Sequence, residues 1–412
     1  MINESVHVGI GFATGRKSFK SVLEAYVYHL DESKFLQKNN VKLSLFVAYD
    51  LEYSSTKRED YTSIPKYILD KFEQVHFISK EDIAESAKLL IRDKIITEKE
   101  KELCFGYGYA ANRNIILYRA LQENVDYLLF MDDDEYPMAV TKTDNHALWS
   151  GQHVIEDHIK YLKFSDITNG YHCGYTCPIP YMEFDNVLKE QDFKMFIEAL
   201  SNEVLNWDVI KDMIQAGGIT YADKNILINK KASLVPQINN AKFITGGNLG
   251  INLTNPSKIH PFYNPKGARG EDTFLSTCLK DSTVKSIPTY TFHDGFSIYG
   301  YILKGSLPIN LKKINSADSK SIIDRFYKTC VGWIRYKPLY TYITRKDKYN
   351  EITQQVKTNL KDSVPKVCAY FNDDRFKDVE IEFQKFHDNV EKDFEDFQIT
   401  KNIWENIKNS IF

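Results

Sequence analysis

Tyr127-Leu128-Leu129-Phe130-Met131-Asp132-Asp133-Asp134-Glu135-Tyr136-Pro137 is the stretch whose reading decides how this chain folds. Five apolar residues in a row, bounded by breakers, read as a strand covered on both faces. The run then meets three aspartates, a glutamate and, one residue on, a proline that stops regular pairing. Adjacent carboxylates repel one another unless water solvates them or a cation sits among them. A hard divalent cation is the natural candidate, since Mg²⁺ takes carboxylate oxygens together with substrate phosphates. In open α/β sheets, ligands bind outside the carboxyl ends of strands, which is where this cluster falls. The alternative is a solvated acidic turn after a buried strand.

Immediately upstream, glycines at 106 and 108 lead into a helix from Ala110 to about Leu121. Asn112 and Arg113 fall in its first turns, where backbone N–H groups and a cationic side chain can face phosphates or a base. Further back, Val6 to Phe12 reads as a strand, Ala13-Thr14-Gly15-Arg16-Lys17 as a loop, and Ser18 as the cap of a helix through Val22, Leu23, Tyr26 and Leu30. Strand, small-residue loop and helix open a nucleotide-binding α/β unit. The loop carries neither a Walker A motif nor a GxGxxG fingerprint. Val41 to Tyr49 is a second strand, ending at Asp50, which is either a base- or ribose-binding acid or a solvated strand end. Val75 to Ile78 is a third strand, and Ser79 to Asp82 form a capping box before a helix from Ile83 to about Glu102.

Downstream, Cys177-Pro178-Ile179-Pro180 reads as extended chain, Leu188 to about Ala216 as helical, and Ile226 to Ile228 as a strand. Phe243 to Asn252 is a strand interrupted by Gly246-Gly247, which permit close approach of a ligand or another backbone. Glu271 and Asp272 open a helix through Leu275, Cys278 and Leu279. The helix dipole favours acids there by up to about 1 kcal/mol each. The same geometry presents a carboxylate to an acceptor hydroxyl as a general base. Tyr290 to Gly295 ends a further strand and carries His293, whose imidazole is a common metal ligand.

The 412 residues suffice for two domains or one large domain with an appendage. With 53 basic against 56 acidic residues, the chain lacks the basic excess of a nucleic-acid binder, so no nucleic-acid partner is expected. Six scattered cysteines, an opening unlike a signal peptide and no apolar run long enough to span a bilayer predict a reducing, cytoplasmic setting. His172, Cys173 and Cys177 resemble half a metal site with no second pair to complete it, and ordinary buried thiols are the favoured reading. Residues 328–348 interleave Lys328, Arg335, Lys337, Arg345, Lys346 and Lys348 with Trp333, Tyr336, Tyr340 and Tyr342. That composition suits peripheral contact with the inner face of an anionic membrane, or an anionic acceptor. A helix packed on the main domain with a solvated basic face is the blander reading and the favoured one. Phe376, Val379, Phe383, Phe386, Val390, Phe394 and Phe397 form one apolar stripe on a long helix that packs on the body, with pairing in a homodimer as the alternative.

Four of these pieces, in this order, resemble the GT-A glycosyltransferases, and among them the large inverting family that makes polysaccharides and glycoconjugates. They are the strand-loop-helix start ending near Asp50, the helix with Asn112-Arg113-Asn114 feeding Asp132-Asp133-Asp134, the Gly246-Gly247-Asn248 strand, and Gly270-Glu271-Asp272. The resemblance implies an α/β, Rossmann-like GT-A domain over residues 1–305, with an acceptor-side insertion at about 141–240 and a mainly helical C-terminal region over 306–412. It implies a nucleotide-sugar donor held by Thr14, Asp50, Asn112, Arg113, Asp132, Asp133, Gly246, Gly247 and Asn248. It further implies a divalent metal, Mn²⁺ or Mg²⁺, on Asp132, Asp134 and His293. Asp272, next to Glu271, would deprotonate the acceptor, a saccharide, a lipid-linked molecule or a glycoconjugate. The sequence lacks the QxxRW motif and membrane helices of processive polysaccharide synthases, which argues against long-chain synthesis with coupled export. Two other readings remain on the same fold. One is a sugar nucleotidyltransferase, for which Ala13 to Lys17 is a thin version of the basic Gly-rich loop. The other is a non-catalytic nucleotide- or sugar-binding module.

Overall fold

The apolar run before the acidic cluster becomes an inner strand of a nine-stranded mixed sheet. The computed structural model of the protein describes residues 5–106, 108–144, 146–201, 207–296, 298–299 and 306–412. In chain order the strands are β1 (Val6–Thr14), β2 (Val41–Tyr49), β3 (Gln74–Ile78), β4 (Tyr127–Phe130), β5 (Glu135–Tyr136), β6 (Met138–Lys142), β7 (Ala147–Gly151), β8 (Ile167–Gly174), β9 (Ser233–Leu234), β10 (Leu249–Asn252) and β11 (Val284–His293). Their order in the sheet is β3-β2-β1-β4-β10-β8-β11-β5, with β9 on β11, while β6 and β7 pair separately.

Alternation along the strands feeds two cores. Ile10, Leu45 and Leu129 point to the side covered by the helices Phe19–Ser33 and Val154–Leu162. Phe46, Leu128 and Phe130 point to the side covered by Lys80–Arg92, Glu98–Phe105 and Gly108–Gln122. Because both faces are covered, the central strands read as continuous apolar runs. The architecture is thus an α/β sheet of Rossmann-like kind with a helical C-terminal region.

Strand direction decides what meets at one edge. β1, β2 and β4 are parallel, so Thr14 pairs with Tyr49 at the edge toward which Phe130, opposite Gly11, also runs. β10 runs antiparallel to β4 with Leu249 opposite Phe130, so the residues just before β10 reach the same edge from the other direction. β8 and β11 are parallel, with His172 opposite Thr291, and β5 is antiparallel to β11, with Glu135 opposite His293.

Several sequence expectations need correction. The helix expected from Ile83 to Glu102 is two helices, because Lys94 takes a left-handed φ of 60° and Thr97 starts a second capping box with Glu100. Ser18 precedes the helix Phe19–Ser33 but makes no side-chain cap. Ile226 to Ile228 form no strand. They lie in the helix Lys224–Asn229, where the Asp223 carboxylate accepts from Asn225 N–H, and Ile228 is left 77% exposed. The span Leu188 to Ala216 holds the helices Glu190–Leu200 and Trp207–Gln215, and residues 202–206 between them lie outside the described ones. The stripe from Phe376 to Phe397 packs on the body as expected, but it is broken at Asn389, between helices Asp378–Asp388 and Val390–Asn409.

The C-terminal region is built into the molecule. Phe326, Ile334 and Phe371 share a core with Phe193 and Phe196 of the 141–240 segment, and Ile403, Trp404 and Ile407 join the core under the sheet. The boundary expected at residue 305 falls on 300–305, outside the described residues. Segment 328–348 is largely a helix packed on the body, in line with the favoured of its two readings rather than with membrane or acceptor contact. Tyr336 and Tyr340 are buried, the buried Lys337 donates to the Ser201 carbonyl, and Arg335 pairs with Glu382 at 2.8 Å. Among the described residues, no helix is long and apolar enough to cross a membrane.

Candidate active site

The strand ends open onto a cleft of about 1910 Å³, lined by Arg16, Asp132 to Glu135, His172, Gly246, Gly247, Asp272 and His293 among others. Pockets for drug-sized ligands measure roughly 300–1,000 Å³, so this cleft exceeds what one such ligand needs.

The four acids are held apart by protein donors. Asp133 accepts from Thr14 Oγ1 at 2.6 Å and from Arg16 at 2.6 Å, while Asp134 accepts from the same Arg16 nitrogen at 2.7 Å. Asp132 accepts from Arg113 Nη2 at 3.0 Å. Glu135 accepts from Thr291 Oγ1 at 2.7 Å and pairs with His172 Nδ1 at 3.1 Å. Across the strand ends, His293 Nε2 lies 3.4 Å from Asp134 Oδ2.

Electrostatics then separates the acids. Burial pushes Asp132 up to about 7, against the pull of Arg113 and with the neighbouring carboxylates adding to the rise. Burial acts on Asp134 too, but His293 and Arg16 outweigh it and hold that carboxyl below its usual range. Burial works to lower the His293 imidazole, yet Asp134 and Glu135 raise it to about 9.

Arg113 is the post of the site. It is buried between the rings of Phe130 and Phe262, at 5.0 and 5.5 Å. It donates to the Gly246 carbonyl at 2.8 Å and to Glu271 at 3.3 Å as well as to Asp132. Burial alone would lower its pKa, and the Asp132 and Glu271 charges reverse that. Asp272 sits on the other side of the same glycine, accepting from Gly246 N–H at 2.9 Å and from Thr273 N–H at 2.7 Å. Burial, then the Glu271 charge, raise Asp272 to about 6.

The paired glycines are required by contact. A Cβ on Gly247 would lie 2.8 Å from Glu135 Oε2 and 2.9 Å from Asp132 Oδ2. We expect Gly247→Ala to cost about 1–3 kcal/mol of stability, as overpacking does, and to misplace both carboxylates. Thermal denaturation together with nucleotide titration checks this, and wild-type values in both would sink it.

Of the residues singled out in the sequence, Arg113, Asp132, Asp133, Asp134, Gly246, Gly247, Glu271, Asp272 and His293 meet at the cleft. Four do not line it. Thr14 is buried beneath the cluster and acts through Asp133. Asp50 is exposed, and its carboxylate accepts from Glu52 N–H at 2.9 Å. Asn112 is half-buried on the helix Gly108–Gln122, away from the cleft lining. Asn248 is fully buried with φ 49°, which ends the strand expected from Phe243 and corrects its reading as a donor contact. Its Oδ1 accepts from His158 Nε2 at 2.9 Å and its Nδ2 donates to the Tyr171 carbonyl at 3.1 Å. Burial lowers His158 to about 4, so its Nδ1 accepts from Thr168 and its Nε2 donates to Asn248.

The structure brings into the site residues that sequence reading named but did not place there. Arg16 directly follows Gly15 in the loop after β1, and its position there was the available signal. Glu135 and His172 are paired by strand register alone. At the mouth, the Tyr53 and Tyr109 rings lie edge to face at 5.8 Å, with Arg16 over Tyr53 and Arg269 over Tyr109, each at 5.6 Å.

The donor set fits a divalent metal in part. Asp134 Oδ2 and His293 Nε2 face each other as an oxygen and a nitrogen ligand, and such ions complete their shell with substrate phosphates. Arg16 reaches the same Asp134 oxygen, so it would have to yield. Among the described residues, no group of three or more His, Cys, Asp or Glu is placed to hold a metal ion, so Asp132, bound to Arg113, does not join Asp134 and His293 in the three-ligand set the resemblance implied. No protein-family model matches the chain, and no curated protein matches it.

Proposed function

We propose that this chain is a nucleotide-sugar-dependent glycosyltransferase of GT-A type, moving a sugar to an acceptor hydroxyl with inversion. One observation carries the reading. The acids after β4 and the carboxylate of Asp272 converge on one cleft from opposite sides of Gly246-Gly247.

Such a transfer has to meet a departing diphosphate with positive charge and to take a proton from an alcohol. Arg16 and the charged His293 supply cations at the strand ends. A divalent ion, Mn²⁺ or Mg²⁺, held by Asp134 and by His293 in place of its proton would substitute for that imidazolium charge and supply Lewis-acid stabilisation of the leaving group. Asp272 supplies the base. Its carboxylate is fixed by two backbone N–H groups and keeps lone pairs for an acceptor hydroxyl. As the acceptor oxygen bonds to the anomeric carbon, its proton passes to Asp272 and the nucleoside diphosphate leaves from the opposite face. Tyr53 and Tyr109 offer ring surfaces at the mouth for a base or sugar. The acceptor is a saccharide, a lipid-linked molecule or a glycoconjugate.

A ligand bound only by the folded state raises its melting temperature. UDP-, GDP-, CDP- and dTDP-sugars, each with and without Mn²⁺, are expected to give one stabilising donor. Its metal-dependent part should vanish in Asp134→Ala. Turnover should release nucleoside diphosphate. Release of pyrophosphate would point to a nucleotidyltransferase, and no stabilisation by any nucleotide would overturn the proposal.

A further inference from the structure

Arg325 is a cation of this cleft that, among the described residues, no acid engages in an ion pair. It lies on the helix Lys320–Thr344 of the C-terminal region, far in sequence from every piece of the motif pattern. Its side chain lines the cleft, within electrostatic reach of Asp134, Arg16, Tyr53 and Asp294. Its neighbours are committed elsewhere. Arg16 is bound to Asp133 and Asp134, Lys328 to Asp324 at 2.8 Å, and Arg335 to Glu382 at 2.8 Å. Among the described residues, the Arg325 guanidinium makes no hydrogen bond or ion pair. It rests over the Phe296 ring at 5.6 Å.

This is a costly place for a charge. Burial lowers the Arg325 pKa, and the nearby Arg16 charge works in the same direction against the pull of Asp134. Guanidinium stays charged at any ordinary pH, so the cost is not relieved by losing the proton. It is relieved by an anion that brings its own oxygens, and a planar fork suits phosphate in bidentate contact. The acids across the cleft argue against a simple carboxylate ligand. A phosphate group can be tied to a larger molecule anchored elsewhere in the cleft.

We propose that Arg325 is an anion-binding residue of the cleft and that its ligand is the diphosphate of the donor. This rests on the glycosyltransferase reading for the identity of the ligand, though not for the existence of an anion site. It gives the C-terminal helix a role in the donor site, where the motif pattern places only the sheet domain. It also explains why this helix is packed into the body through Phe326 and Ile334 rather than tethered loosely.

Calorimetry on the full chain, with pyrophosphate, the nucleoside diphosphates and the matching nucleosides, tests it with and without Mn²⁺. A charge-assisted hydrogen-bond pair corresponds to roughly 10- to 100-fold in affinity. Arg325→Gln is therefore expected to weaken diphosphate binding by that factor and leave nucleoside binding unchanged, with partial recovery in Arg325→Lys. Arg325 has no described hydrogen bond to lose and its charge is disfavoured by burial, so neither variant should melt below the wild type. Wild-type affinity for diphosphate in Arg325→Gln would overturn the assignment while leaving the glycosyltransferase reading in place. Pyrophosphate binding that depends on Arg325, with no nucleotide bound by the wild type, would keep the anion site and remove that reading. Binding of neither would remove both.

Discussion

Asp272→Asn is expected to lower turnover by about 10²- to 10⁴-fold, the usual contribution of a general base. Donor affinity should change little, because the proposed reading gives Asp272 the acceptor hydroxyl and places the donor on the acids after β4 and on Arg16. The amide keeps one acceptor for the two backbone N–H groups, so a stability loss of about 1 kcal/mol accompanies the change. The wild-type pH profile should carry the same signature. Asp272 is raised to about 6 by burial and by Glu271, and it works only when deprotonated. Turnover should therefore be flat above pH 7 and fall about tenfold per unit well below 6. Steady-state kinetics with donor titration decides the matter. Unchanged turnover in the variant would remove Asp272 from the chemistry.

Arg113→Ala is expected to be the most destabilising change in the cleft, by about 3–5 kcal/mol, because it leaves buried acids without their counter-charge. Arg113 is 3% exposed and reaches Asp132, Glu271 and the Gly246 carbonyl together. The loss should depend on pH. Even with Arg113 present, Asp132 is raised to about 7, so the folded state holds its proton more tightly than the unfolded state does. That contribution to stability is complete below the unfolded carboxyl range and is lost as pH rises through 7. Removing Arg113 pushes Asp132 higher still. The gap in melting temperature between wild type and variant should thus be widest near pH 8 and narrow by pH 5. A gap independent of pH would mean that lost packing between Phe130 and Phe262, rather than unpaired charge, sets the cost.

Much of the sheet was legible in the chain. Strands β1, β2 and β4 each carry the apolar runs of a doubly covered strand, and the capping box at Ser79 marks a true helix start. Where local pattern failed, a competing local preference won. Lys94 and Asn248 take left-handed backbone, which a hydrophobicity pattern does not register, and so split a helix and shorten a strand. Ile226 to Ile228 look like a strand only because apolar triplets carry no period. Asp223 caps them into a helix. The basic and aromatic content of 328–348 left two readings open for a related reason. Composition does not say which face of a helix is inside, and here Tyr336, Lys337 and Tyr340 are.

What the sequence by itself determined is the acidic strand end, the paired glycines, the acids at the start of the helix Glu271–Cys278 and the α/β order that presents them. These are local properties, fixed by residue type and spacing within a few positions. What only the tertiary structure decided is which of them meet and what neutralises them. Arg16 comes to Asp133 and Asp134 across 117 and 118 positions, and Arg113 to Glu271 across 158. Glu135 finds His172 because β5 and β8 both pair with the end of β11, Glu135 opposite His293 and His172 opposite Thr291. Arg325 arrives from a helix that the motif pattern leaves out. Partners at such separations are set by strand order and helix packing, and a single chain carries no local mark of either.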